Sequence, residues 1–141
     1  MGFTEDYIDA WNSKDVDRFV GQFAPNGRYS DMSMHVTYGT EAELRRMFAG
    51  TLDSYKDYEF KHIAGTATDR YYAVEWTHTS RSKHDGNEYT VRAISAGELD
   101  ENGKILENRD YWNPAHYPGG DPAALATEAA AWEQLVEGQE S

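Results

Sequence analysis

The sequence predicts one α+β domain, in which short helices come first and a meander of long antiparallel strands follows. Apolar residues recur at helical spacing as far as Leu52, and from Tyr58 onward they alternate with polar residues. The breaks between the alternating runs, such as KHDGN and DENG, have the composition of hairpin turns. A chain of 141 residues is long enough for one continuous core and too short for two.

Three helices are expected before the long strands. Thr4 is a plausible N-cap of the first, and the second begins at Asp15 and ends before Pro25. The third begins with the capping box Thr40-Glu41-Ala42-Glu43, and its apolar stripe continues to Leu52.

The predicted strands begin with a short one at residues 28–31, followed by an irregular or extended connection over residues 32–39. Four long strands are then expected over residues 58–64, 71–80, 88–99 and 104–112. Asp110 lies in the middle of the last strand, although strands disfavour Asp because its side chain competes for backbone hydrogen bonds. An acid at this position needs a partner or a function.

The composition becomes rich in Ala after the sequence PGGDP. Asp121 can cap a further helix, Pro122 can occupy its first position, and Gly138 ends the apolar stripe. We therefore expect residues 1–117 to form the main domain, and residues 118–141 to add a C-terminal helical extension to the same domain.

Charge and composition exclude several classes of function. The net charge of -12 disfavours contact with nucleic acid or with an anionic membrane, and 13% aromatic residues indicate a folded chain. The absence of cysteine excludes disulfides and thiolate chemistry. There is no apolar run of membrane-spanning length and no N-terminal targeting pattern, so a cytoplasmic protein is expected.

The order of elements over residues 4–117, with DENGKI and then DYWN at the last hairpin, resembles the nuclear transport factor 2-like superfamily and its SnoaL-like members. The resemblance implies a cone-shaped α+β barrel, in which a curved antiparallel sheet wraps around N-terminal helices and an apolar pocket. It also implies a homodimer and a cofactor-independent site for a hydrophobic small molecule. Members include polyketide cyclases, ketosteroid isomerases, limonene epoxide hydrolases and scytalone dehydratases.

The segment YIDAWNSKDVDRFVGQFAPNGRYSD resembles the N-terminal half of the ketosteroid isomerases. This resemblance places Tyr7 at the position of their oxyanion-holding Tyr and Asp31 at that of their proton-shuttling Asp. Their third key residue, a protonated Asp, corresponds to Ser95, which is a weaker donor.

The last strand resembles that of the limonene epoxide hydrolases, because both carry an Arg-Asp-Tyr run whose Asp, here Asp110, is catalytic in that family. Their water-binding Tyr and Asn correspond to Tyr29 and Asp31. Their paired Arg and Asp correspond to Trp76 and His78, so the Asp-Arg-Asp network of that family is incomplete here.

The sequence KHIAG resembles the scytalone dehydratase segment that carries a catalytic His, which would pair His62 with Asp31. Metal binding through His62, His78 and Asp110 has no support from helical His spacing, so no metal site is predicted.

The period of two places several polar and aromatic side chains on common strand faces, and if these faces turn into the cone they meet in one cavity. The acid–base candidates are Asp31, with a pKa raised by an apolar cavity, and a dyad in which Asp110 orients the imidazole of His78. Tyr7 would hydrogen-bond to an enolate oxygen. The expected substrate-binding residues are Tyr29, Phe60, Trp76, Ser95 and Trp112.

These groups suit proton transfer next to a carbonyl, so an isomerase or a polyketide-type cyclase is the leading interpretation. The first alternative is a dehydratase, or an epoxide hydrolase that opens a ring with a carboxylate-held water. The second is a non-catalytic binding or assembly module, for which Asp31, His78 and Asp110 would all point outwards. Ordinary structural roles also stay open, such as a turn for Asp31 and a salt bridge from Asp110 to Arg109.

Overall fold

The computed structural model describes residues 2–82 and 86–114. It contains three helices and six strands within these ranges. In chain order they are α1 (Phe3–Ser13), α2 (Val16–Val20), β1 (Phe23–Asp31), β2 (Val36–Tyr38), α3 (Glu41–Ser54), β3 (Tyr55–Ala67), β4 (Tyr71–Ser82), β5 (Glu88–Leu99) and β6 (Ile105–Trp112). The C-terminal helix that the sequence predicts lies outside the described residues.

Side-chain caps explain where two of the helices begin. The Asp15 carboxylate accepts hydrogen bonds from the first backbone N–H groups of α2, and the Thr40 hydroxyl accepts one from Glu43 N at the start of α3. The prediction of Thr4 as the N-cap of α1 is wrong, because Gly2 occupies the cap position and Thr4 lies inside the helix. Its buried hydroxyl contacts a side chain of β3 instead.

The six strands form one curved sheet in the order β2-β1-β6-β5-β4-β3. The predicted antiparallel meander from β3 to β6 is confirmed. β1 inserts between β2 and β6, and its pairing with β6 is parallel because the long crossover through α3 and the meander separates them. Within the described chain β2 and β3 are edge strands, so the sheet is a curved half-cone that does not close into a barrel.

β1 is longer than the sequence predicts. It begins at Phe23 and runs through Pro25-Asn26-Gly27, where a turn was expected, by means of a register shift against β6. Gly27 allows this irregularity, because a Cβ at this position would lie 2.5 Å from the carbonyl oxygen of Ile105. The connection after β1 also contains a short strand, β2, which is antiparallel to it.

The helices cover the concave face of the sheet. Aromatic rings form the core between them, with the Trp11 ring 4.7 Å from Phe19 and 5.3 Å from Phe48, measured between ring centroids. Next to this core lies a cavity lined by α1, α3 and the strands of the sheet. No helix among the described residues is long and apolar enough to cross a membrane.

Candidate active site

The cavity has a volume of about 450 Å³, which suits a small organic molecule. α3 closes one side with Arg46, Met47 and Thr51, and the strands supply the other side. Six aromatic side chains, from α1 and from four of the six strands, line this cavity: Trp11, Tyr38, Tyr55, Phe60, Trp76 and Trp112. The polar side chains that reach this apolar surface are therefore candidates for chemistry.

Asp110 lies at the bottom of the cavity with 4% of its surface exposed. Three donors hold its carboxyl group. Ser95 Oγ donates to Oδ1 at 2.5 Å, Asn108 Nδ2 donates to Oδ1 at 2.9 Å, and the Tyr29 hydroxyl donates to Oδ2. The alternation of β5 and β6 places these side chains on the concave face, and Ser95 and Asp110 are cross-strand partners.

A second layer of hydrogen bonds fixes the groups that hold Asp110. The Tyr7 and Tyr72 hydroxyls donate to Asn108 Oδ1 at 2.9 and 2.5 Å, and Trp76 Nε1 donates to Ser95 Oγ at 2.9 Å. Ser95 and Asn108 have no exposed surface. The network is buried and densely connected, so it presents the carboxyl group of Asp110 in one orientation.

Burial raises the pKa of Asp110 well above its usual range. The donors around it are neutral, and no cation among the described residues forms an ion pair with it. Burial likewise raises the pKa of the Tyr7 hydroxyl well above its usual value. The bottom of the cavity is therefore an environment that favours the acid form of Asp110 over its anion.

Asp31 is half-buried at the edge of the same cavity, at the end of β1. Its Oδ1 accepts three hydrogen bonds, from Trp112 Nε1 at 2.9 Å, Met34 N at 3.0 Å and Ser33 N at 3.1 Å. Burial raises the pKa of Asp31, while these hydrogen bonds lower it. No hydrogen bond from a described residue reaches Oδ2.

The two acids are neighbours on parallel strands. Asp31 and Asp110 are register partners of β1 and β6, and both line the cavity. Side chains at such positions are separated by about one strand spacing, roughly 4.8 Å. Their environments differ. Asp110 is enclosed by neutral donors, whereas Asp31 has one oxygen held by hydrogen bonds and the other without a partner among the described residues. This accounts for an Asp in the middle of β6.

His78 does not form the predicted dyad with Asp110. It lines the cavity from β4 and is 7% exposed, but its Nε2 has no hydrogen-bond partner among the described residues. β5 lies between the two strands, so the carboxyl group of Asp110 is held by its own neighbours instead. Burial lowers the pKa of His78 to about 4, because desolvation disfavours the charged imidazolium.

The predicted pairing of His62 with Asp31 is also wrong. His62 Nε2 lies 3.0 Å from Thr4 Oγ1 and 3.9 Å from Glu5 Oε1, at the first turn of α1. His62 lies on β3, at the far edge of the sheet from β1, and a register shift follows it. It is therefore not part of the cavity wall.

The remaining predicted site residues fall into two groups. Phe60, Trp76 and Trp112 line the cavity. Tyr7, Tyr29 and Ser95 lie behind the cavity surface and hold Asp110 or its partners, so in this structure the hydroxyl of Tyr7 serves the network and does not line the cavity.

Sequence reasoning missed the contribution of α3 and the roles of two network residues. Arg46 and Met47 line the cavity, and the apolar stripe of α3 contains Met47 but does not show which part of the stripe stays uncovered. Asn108 shares its strand face with Asp110, which was a usable signal. Tyr72 has no such signal, because its partner lies two strands away.

Comparison with known families and structures agrees with this fold. Residues 4–108 match the SnoaL-like domain, which is most of the chain, so the protein belongs to the SnoaL-like family within the nuclear transport factor 2-like superfamily. The comparison with curated proteins found no significant match.

Several solved structures share the fold at low sequence identity. A protein from Catenulispora acidiphila with a ketosteroid isomerase-like fold, in complex with trimethylamine, superposes with a TM-score of 0.75 at 14% identity, over 82% of this chain and 88% of that chain. The epoxide hydrolase/cyclase-like enzyme SalBIII, of pyran ring formation in the polyether salinomycin, has a TM-score of 0.70 at 20% identity, with 79% and 88% covered. A phenazine biosynthesis-related protein from Pseudomonas aeruginosa has a TM-score of 0.64 at 18% identity, with 83% and 85% covered.

Proposed function

We propose that the protein is a cofactor-independent acid–base enzyme that transfers a proton on a hydrophobic, carbonyl-bearing small molecule, as an isomerase or a polyketide-type cyclase. One observation carries the proposal: two carboxyl groups, Asp31 and Asp110, lie side by side at one cavity, and burial raises the pKa of Asp110 strongly whereas hydrogen bonds to Asp31 oppose the rise there. Such a pair supplies a base and an acid at the same pH.

Asp31 is the base in this proposal. Its Oδ1 is fixed by the Trp112 indole and two backbone N–H groups, which leaves Oδ2 to accept a proton from the carbon next to the substrate carbonyl. Half-burial raises the pKa of Asp31 and makes it a stronger base than an exposed Asp. The electrons of the broken C–H bond move to the carbonyl oxygen and form an enolate.

Asp110 is the acid. Its neutral carboxyl group can donate a hydrogen bond to the enolate oxygen, and the buried network around it keeps that group in place without reorganisation. Asp31 then returns the proton to a different carbon in an isomerisation. In a cyclisation the enolate carbon attacks a second carbonyl of the same molecule, and the new alkoxide receives the proton.

Hydrogen–deuterium exchange tests the proposal without knowledge of the natural substrate. A cyclohexanone that carries a phenyl group opposite its carbonyl is incubated with the enzyme in heavy water, and deuterium next to the carbonyl is followed by NMR. The wild type should accelerate exchange, and Asp31→Asn should reduce the acceleration by at least about a hundredfold. Asp53→Asn, a change at an exposed acid on α3, is the control and should exchange like the wild type. Full exchange in Asp31→Asn would refute the role of this carboxylate.

The same pair of acids favours epoxide opening as a second candidate. A neutral Asp110 can protonate an epoxide oxygen while Asp31 takes a proton from a water that attacks the ring. Labelled water distinguishes the two functions, since hydrolysis places solvent oxygen in the product and dehydration releases water. An isomer of unchanged mass would exclude both hydrolysis and dehydration.

A non-catalytic module was expected to have Asp31, His78 and Asp110 pointing outwards. All three residues instead line the cavity.

A further inference from the structure

The His78 side chain is a buried polar group with an unused hydrogen-bonding atom in the cavity wall. It is 7% exposed, and its Nε2 has no partner among the described residues. A buried donor or acceptor that is left unpaired destabilises the fold, because it has lost its hydrogen bonds to water and gained none. Because buried polar side chains are nearly always hydrogen-bonded, an unpaired atom of a side chain that lines a ligand-sized cavity indicates a partner that the described residues do not supply.

Three aromatic rings pack around the side chain of His78. The Phe60 ring lies 4.6 Å away, and the rings of Tyr55 and Tyr58 lie 5.0 and 5.6 Å away, measured between centroids. These three rings form what we call the aromatic collar. Burial lowers the pKa of His78 to about 4, so the imidazole inside the collar is neutral at neutral pH. A neutral imidazole can present Nε2 as either a donor or an acceptor.

His78 and the two acids lie at opposite ends of the cavity. His78 pairs with Val91 of β5, whereas Asp110 pairs with Ser95, four positions further along that strand. The offset in the sheet is therefore two strand spacings across, roughly 10 Å, and about 13 Å along the strands. Curvature and the inward reach of the side chains shorten this span. The wall between the two ends is aromatic, with Trp76 from β4 in the middle.

We propose that His78 is a specificity-determining residue that hydrogen-bonds through Nε2 to a hydroxyl group at the far end of an elongated apolar substrate whose carbonyl lies at Asp31 and Asp110. A hydroxyl satisfies Nε2 in either tautomer, because it can donate and accept. An apolar middle section fits the aromatic wall. The position of the carbonyl rests on the proposed function, whereas the contact between His78 and the hydroxyl does not.

Matched ketones test the inference. The first pair is the phenyl-substituted cyclohexanone described above and the same ketone with a para-hydroxyl on its phenyl ring; a longer pair contains one more phenylene ring. Binding is measured by calorimetry for the wild type, His78→Phe and His78→Gln. The wild type should bind the hydroxylated member of at least one pair about five- to tenfold more tightly, which is the value of one net hydrogen bond.

The variants separate a specific contact from a general effect on the wall. His78→Phe keeps a flat ring but has no nitrogen, so it should bind the unsubstituted ketone at least as tightly and lose the preference for the hydroxyl. His78→Gln restores a donor and an acceptor and should recover part of the preference. An equal preference in the wild type and His78→Phe would overturn the inference, as would a wild type that binds neither pair or does not distinguish their members.

Deuterium exchange on the same compounds keeps the two proposals apart. If Asp31→Asn leaves exchange unchanged while His78→Phe abolishes the hydroxyl preference, the acid–base function fails and the role of His78 stands. If exchange depends on Asp31 but the preference survives in His78→Phe, the function stands and the role of His78 fails.

Discussion

Acidification should destabilise this protein through His78. The pKa of His78 is lowered from 6.5 to about 4 by burial, so between these pH values the unfolded state binds a proton that the folded state does not. The free energy of unfolding therefore falls as pH decreases through this window. Above the window His78 is neutral in both states and does not destabilise the fold. At 1.36 kcal/mol per pKa unit, the total loss is about 3 kcal/mol.

The change to test this is His78→Phe, because Phe keeps the ring in the aromatic collar and removes the titrating group. Urea unfolding of both proteins is followed by tryptophan fluorescence from about pH 7.5 to about pH 4.5. The difference between wild type and variant cancels the titration of the other groups, and it should shift by about 2–3 kcal/mol in favour of the variant. Phe48→Leu is the control: it weakens the buried core at every pH without adding a slope. Parallel curves for wild type and His78→Phe would refute the reasoning.

Three further predictions concern the carboxyl network and the sheet. Asp110→Asn should raise Tm by several degrees at about pH 8 and by little at about pH 3, because the pKa of Asp110 is raised in the folded state, so this carboxyl ionises at lower pH in the unfolded chain and rising pH favours unfolding. A gain that is equal at both pH values would contradict this. Gly97→Ala should unfold the protein in thermal melts, because its Cβ would lie 1.9 Å from a backbone oxygen of β6. Gly50→Ala in α3 is the control: its Cβ meets nothing within 4 Å, so it should raise the free energy of unfolding by about 0.5–1 kcal/mol. Trp112→Phe removes a hydrogen bond that lowers the pKa of Asp31, so the ascending limb of the pH–rate profile for deuterium exchange should move to higher pH. An unchanged limb would show that this hydrogen bond does not set the pKa of the base.

Much of the fold could be predicted from local signals. The caps at Asp15 and Thr40 and the alternation from β3 to β6 act within a few residues or between neighbours joined by a turn, so the sequence shows them directly. The length of β1 could not be predicted in this way. Pro25-Asn26-Gly27 has the composition of a turn, and it becomes part of a strand because β6, far away in the chain, pairs with the residues on both sides.

The sequence predicted several of the residues that line the cavity, but it did not predict which of their side chains contact each other. Asp31, Asp110 and His78 all line the cavity, as the period of two indicated. The pairings were wrong because each requires the order of the strands across the sheet. β5 separates His78 from Asp110, and His62 lies on an edge strand far from Asp31, next to α1.

The sequence by itself determined the α+β class, the starts of α2 and α3, the strand faces and the acids available for chemistry, because spacing and capping are local properties of the chain. The tertiary structure alone decided that β1 lies parallel beside β6, which makes Asp31 and Asp110 neighbours. It also decided which groups are solvated. Burial among neutral donors favours the acid form of Asp110, and burial among aromatic rings leaves His78 neutral with an open hydrogen-bonding atom. Desolvation depends on everything packed around a group, and that packing exists only in the folded protein.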